Sequence, residues 1–152
     1  MALKEKEKKL IVALRKNGRK KIKKFANEKN IPVSTMFDVL KRLEKKKIIQ
    51  HSSSLAFEEI GFPFRIFVTV RTMPQVREDL KEYLLNSKNV NTIHEIDTGF
   101  DFHFEAVFKN PKNARDFMTD FEEKNSLIEI RTYNIIANVC KEKFLTEDSH
   151  FD

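Results

Sequence analysis

The sequence predicts an α+β chain in two parts, a helical head followed by a β-α-β-β-α-β unit. Three observations predict it. Apolar residues recur near a period of 3.6 up to about residue 46, and near a period of 2 in several later segments. Charge divides the same way. Residues 1–50 hold 17 Lys and Arg against 5 Asp and Glu, a net of +12, whereas residues 51–152 hold 12 against 18, a net of −6. The three glycines, Gly18, Gly61 and Gly99, fall at junctions between segments.

Residues 3–16 carry Leu10, Ile11 and Leu14 on one helical stripe, and Asn17-Gly18 stops that helix. A second helix over about 20–29 buries Ile22, Phe25 and Ala26. The run Asn30-Ile31-Pro32-Val33 is a tight turn, and Ser34 is the expected N-cap of a third helix ending near Lys46. Met36, Leu40 and Leu43 form its inward stripe, with Phe37 and Val39 flanking the core or a dimer contact. Three short helices with a turn before the last make a helix-turn-helix, winged-helix-like domain over 1–50. Residues 51–61 read as a hinge or linker strand.

From 62 to 143 the expected domain is ferredoxin-like. FPFRIFVTVRTM (62–73) alternates as a strand, 75–87 is a helix with Val76, Leu80 and Leu84 inward, and 91–98 and 102–109 are strands turning at Gly99. Pro111 opens a helix to about Lys124 that buries Ala114, Phe117 and Phe121, and Ile128–Cys140 is a long last strand. Residues 144–152 are expected to be a frayed acidic tail.

Composition narrows the function classes. No apolar run approaches the ~18 residues of a membrane span, and the charged start lacks a signal peptide's apolar stretch. The one cysteine, Cys140, permits no internal disulfide and fits the reducing cytoplasm. Three scattered glycines build no phosphate-cradling loop. His51, His94, His103, His150 and Cys140 show no metal-ligand spacing, and no nucleophile has an adjacent base. A non-enzymatic chain without cofactor or metal is expected. The basic head on an acidic partner domain points to a polyanion.

The chain resembles the Lrp/AsnC (feast/famine) family of transcription regulators over about residues 5–140. The resemblance is most specific from Gly18-Arg19 through Phe25-Ala26 and Ile31 to LKRLEKKKII (40–49), and in HEIDTGFDFHF (94–104). It implies a double-stranded-DNA-binding homodimer that assembles further, to a tetramer or octamer, and takes a small amino-acid effector. This chain has Val39 where members carry Arg, and Lys47 where they carry Gly after the third helix. A Lys held there in a left-handed cap costs on the order of 1 kcal/mol.

Four sets of residues follow. On the third helix Ser34, Thr35 and Asp38 are placed to reach base edges, and Lys41, Arg42 and Lys45 suit phosphates. Arg19, Lys20, Lys21 and Lys24 precede them as phosphate contacts, with a solvated charged face as the alternative. The turn Asp97-Thr98-Gly99-Phe100-Asp101 is the effector candidate, or simply a turn rich in turn formers. The outer strand face, with Phe67, Arg71, His103, Glu105, Val107, Tyr133 and Ile135, reads as a dimer interface or as an exposed amphipathic sheet. Two further readings stay open: an architectural, nonspecific DNA binder, and a sirohaem-decarboxylase-like enzyme of the same layout. The second expects His-, Arg- and Trp-bearing strand patterns, and the chain has no Trp.

Overall fold

The computed structural model describes residues 3–97, 99–137 and 144–147. Two compact units divide them: residues up to Ser54 together with 144–147, and residues 55–137.

The first unit is three helices: α1 (Glu5–Lys16), α2 (Ile22–Glu28) and α3 (Val33–Lys45). Acidic Glu5 and Glu7 open α1 and basic Arg15 and Lys16 close it, so the charges complement the helix dipole. Leu10, Ala26, Met36 and Leu43 are fully buried at the centre, with Phe25 beside them. Asn30 takes the left-handed conformation in the turn before α3.

Two details of α3 correct the sequence reading. Its N-cap is Pro32, not Ser34, because the ring already fixes φ at −54° and the chain enters the helix two residues sooner. Val39, rather than Leu40, completes the buried stripe with Met36 and Leu43, and Leu40 is only half-buried. The end of α3 is a Schellman motif. Ile48 N–H donates to Leu43 O at 2.9 Å and Lys47 N–H to Glu44 O at 2.8 Å, with Lys47 at φ +55°. A lysine therefore occupies the left-handed position that glycine occupies without steric cost. Lys47→Gly is expected to stabilise the head by about 1 kcal/mol, read as a higher urea midpoint. A variant no more stable than Lys47→Ala would contradict the strain at this cap.

Residues 50–56 form no strand. The junction closes in a short 3₁₀ turn at Glu58–Ile60, with Gly61 at φ +87°. The second unit follows: β1 (Phe64–Thr72), α4 (Arg77–Asn86), β2 (Val90–Glu95), β3 (Phe102–Phe108), α5 (Pro111–Lys124) and β4 (Leu127–Asn134). The strands run antiparallel in the order β2-β3-β1-β4. Pro74–Val76 is a 3₁₀ turn that delays α4 by two residues. The last strand stops at Asn134; of the residues expected to extend it, 138–140 lie outside the described residues.

One sheet face carries both helices. Ile66, Val68 and Val70 from β1 and Phe102, Phe104 and Phe108 from β3 meet Leu80 and Leu84 of α4 and Ala114 and Phe121 of α5. Alternation along the strands puts the intervening side chains on the other face. The observed fold is thus an N-terminal helix-turn-helix followed by a βαββαβ domain, as the sequence predicts.

Candidate nucleic-acid interface

With Met36, Val39 and Leu43 inward, the 3.6-residue period turns Ser34, Asp38, Lys41 and Lys45 outward, and all four are exposed. Thr35 and Arg42 lie on the flank nearest α1. Thr35 is half-buried and shares a shallow cleft with Asp38, Arg42 and the first turn of α1. Phe37 occupies the opposite flank and remains 43% exposed, an aromatic on a charged surface.

Arg42 is already engaged. Its Nε lies 3.0 Å from Glu7 Oε1, while the other oxygen of that carboxylate accepts the Lys4 backbone N–H at 2.7 Å. Glu7 is buried, so this pair pins α3 to the start of α1. The Lys4 hydrogen bond first, and then Arg42, hold the Glu7 carboxyl below its usual range against the opposing effect of burial. Glu7 is in none of the residue sets read from the sequence. A glutamate three residues into a helix is the capping-box position, and that was the available signal.

The shift has a sign. A folded-state value below the unfolded one gives stability that is complete above about pH 4.5 and is lost as pH falls through the lowered value. Glu7→Gln is expected to cost about 2 kcal/mol at pH 7 and progressively less in acid. Melting curves from pH 7 to 3 check this; a gap between the two proteins that does not narrow would refute it.

Along α2 and the turn before it, Arg19, Lys21 and Lys24 are exposed, and none forms an ion pair among the described residues. Lys20 differs. Its Nζ lies 2.8 Å from Glu28 Oε2 and 5.2 Å from the Phe25 ring centre, so part of its charge is spent within the head.

The loop after β2 is less open than its composition suggests. Asp101 accepts the Thr72 backbone N–H at 2.8 Å through Oδ2, and its Oδ1 lies 3.2 Å from Arg77 Nε. Arg77 also faces Glu95 at 3.9 Å, and Lys81 pairs with the same Glu95. Phe100 packs against the Arg131 guanidinium, 4.8 Å from its ring centre. Asp97 is exposed, Gly99 is left-handed at φ +86°, and Thr98 lies outside the described residues. Of the two carboxylates expected to face a ligand ammonium, Asp101 is held by the fold itself.

The outer sheet face divides into two ends. At one, Arg65 and Glu105 are buried and paired at 3.1 Å, Asn91 donates to the other Glu105 oxygen at 2.6 Å, and Val107 is buried beside them. Glu105 and Val107, expected at an interface, are therefore already enclosed within one protomer. Phe57 lies over Arg65, its ring centre 5.9 Å away, at this end of the sheet. Towards the other end Tyr133 and Arg71 are exposed and Phe67 and His103 half-buried, while Ile135, also half-buried, lies beside Arg65, donating its N–H to Arg65 O at 3.0 Å. Phe67 and His103 rings sit 5.1 Å apart, and His103 Nδ1 hydrogen-bonds Thr69 Oγ1 at 3.0 Å. Burial first, and then neighbouring His94, push the His103 value down.

Among the described residues no group of three or more metal-binding side chains gathers, and no helix is long and apolar enough to cross a membrane.

Comparison with known proteins places this geometry. No protein-family model matches the chain. An uncharacterized HTH-type transcriptional regulator of Pyrococcus abyssi is 25% identical over 146 residues, spanning 95% of this chain and 99% of that one. Among solved structures, a transcriptional regulator of Neisseria meningitidis in complex with L-Met superposes with a TM-score of 0.82 at 18% identity, covering 92% of this chain and 94% of that one. An AsnC-family transcriptional regulator of Agrobacterium tumefaciens superposes with a TM-score of 0.79 at 11% identity, over 91% and 94%. Helix-turn-helix head, junction and antiparallel βαββαβ unit together carry the fold of the Lrp/AsnC regulators, the family that the sequence resembles.

Proposed function

We propose that this chain is a sequence-specific, double-stranded-DNA-binding transcription regulator, and not an enzyme. The observation that carries this reading is the exposed face of α3 set beside the cations Arg19, Lys21 and Lys24, which form no ion pair among the described residues, in a head with a net charge of +12 over residues 1–50. In this docking geometry the second helix of the motif enters the major groove, and the helix before it crosses the phosphates. Ser34 and Asp38 suit base edges, while Lys41 and Lys45 suit phosphates. The regulators that the chain matches in sequence and fold support the same reading.

The finer parts of the proposal are assembly and control. A homodimer forms through the open end of the outer sheet face, around Phe67, His103 and Tyr133, and sets two reader helices about one DNA turn (~34 Å) apart. A small amino acid binds at the 97–101 loop, where Asp97 and the backbone N–H groups, rather than Asp101, make the contacts.

Footprinting on the DNA upstream of its own gene, at low and moderate salt, tests the reading. A discrete palindromic footprint is expected. Asp38→Ala is expected to reorder preference among sites, whereas Lys41→Ala weakens every site alike. Uniform coating that disappears with salt would favour an architectural binder instead, and no binding at any salt would remove both.

A further inference from the structure

The exposed face of α3 holds one side chain that solvation does not explain. Ser34, Asp38, Lys41 and Lys45 are polar or charged, yet Phe37 stands among them 43% exposed. Residues 1–54 contain only one other aromatic, Phe25, and it is 2% exposed within the core. Val33 and Leu40, about one turn before and after Phe37, rotate far enough inward to pack against the three-helix core. Phe37 lies outside that shell, and among the described residues its ring meets neither another ring nor a cation. The fold of the head leaves its apolar surface uncovered.

The position is as informative as the exposure. Phe37 is the fifth residue of α3, in the half of the helix that this docking geometry directs at base edges. On the helix surface it borders Ser34 (i−3), suited to a base edge, and Lys41 (i+4), suited to a phosphate. In the major groove the other bases present hydrogen-bonding groups, whereas thymine adds an apolar one, its C5 methyl. A phenyl ring neither donates to O6 and N7 nor accepts from N4, but it can cover that methyl.

We propose that Phe37 is a specificity-determining residue that covers the C5 methyl of a thymine in the major groove. The head then prefers sites with thymine at the base pair this ring meets. The proposal rests on the DNA-binding reading above. Burying one methyl group is worth about fourfold in affinity, and two heads on one palindromic site would raise that to about fifteenfold.

The test replaces thymine by uracil, which keeps the base-pairing groups and removes only the methyl. The full chain first selects its preferred duplex from a random-sequence library. The parent, Phe37→Ala and Lys41→Ala are then titrated, at two salt concentrations, with that duplex carrying either thymine or uracil. The parent is expected to bind the uracil duplex about four- to fifteenfold more weakly. Phe37→Ala should bind the thymine duplex more weakly by a similar factor and lose most of the discrimination. Lys41→Ala should weaken both duplexes and keep the parent ratio. The quantity read is the change in ratio between parent and variant, because any effect of uracil on duplex stiffness persists in Phe37→Ala. Melting temperatures accompany each titration. If the Phe37→Ala head has unfolded, Phe37→Gln replaces it, since glutamine keeps the helix propensity and removes the ring. Equal binding of the two duplexes by the parent overturns the proposal, and so does discrimination that survives in Phe37→Ala. If Phe37→Ala instead weakens self-association in sedimentation and leaves the ratio intact, the ring is a contact between copies and the proposal is wrong. A parent that binds no duplex at either salt removes the DNA-binding reading itself, and this assignment with it.

Discussion

Replacing Arg19, Lys21 and Lys24 together by Gln is expected to lower affinity for duplex DNA by about 10²–10³-fold near 0.1 M salt. The figure follows from counterion release, which gives each phosphate contact roughly 0.9 in the log-log salt slope. Three lost contacts flatten that slope by about 2.7, which near 0.1 M corresponds to the stated loss. These three cations are chosen because all are exposed and none is committed to a carboxylate among the described residues. Lys20→Gln is the internal comparison. Its ammonium must leave Glu28 before it can meet a phosphate, so the single change should cost less than Lys21→Gln. Titrations at four salt concentrations check both statements. A triple variant that loses less than tenfold, or that keeps the parent slope, would place the phosphate contacts elsewhere on the head.

That choice of residues shows where sequence reasoning reached and where it stopped. Periodicity located the five α-helices and four strands of the described residues, because burial of one face leaves its spacing in the sequence whatever the tertiary partners are. Phe102, Phe104 and Phe108 could be assigned to the helix-covered face on that basis alone. The left-handed cap at Lys47 was legible through the resemblance, whose members carry Gly at that position. Pairings between distant residues were not. Glu28 lies eight residues from Lys20, Glu7 lies 35 from Arg42 and Asp101 lies 24 from Arg77, and none of these separations is a helical spacing that sequence can flag. Each pairing takes a side chain expected to meet a ligand and spends it on the fold. Val39 illustrates the same limit in packing. Leu40 and Val39 both fit the periodic stripe within a fraction of a turn, and contact with α1 decides the rotation.

The second large effect expected is on stability, at the closed end of the sheet. Arg65 and Glu105 are both buried, and Asn91 satisfies the carboxylate oxygen that Arg65 does not reach. Removing one partner leaves a charge out of water with its counter-ion gone, which costs about 3–5 kcal/mol. Arg65→Met is therefore expected to lower the urea midpoint sharply, and Glu105→Leu to do much the same by stranding Arg65. The double variant Arg65→Met/Glu105→Leu should recover most of that loss. It removes both desolvation penalties at once, and its two apolar side chains meet Phe57 and Val107. Because the two side chains touch, their effects should be far from additive, and the interaction energy from the four-protein cycle is the quantity to read. If the double variant is as unstable as the two single losses summed, the pair is not acting as a unit. Enclosure in one protomer gives a second readout. A pair buried by the protomer's own fold must lower monomer stability at every protein concentration, whereas a pair buried only by dimerisation would show its effect in the association constant. The positions of Arg65, Glu105 and Asn91 in a single chain predict the first outcome, and leave assembly to the open end around Phe67, His103 and Tyr133.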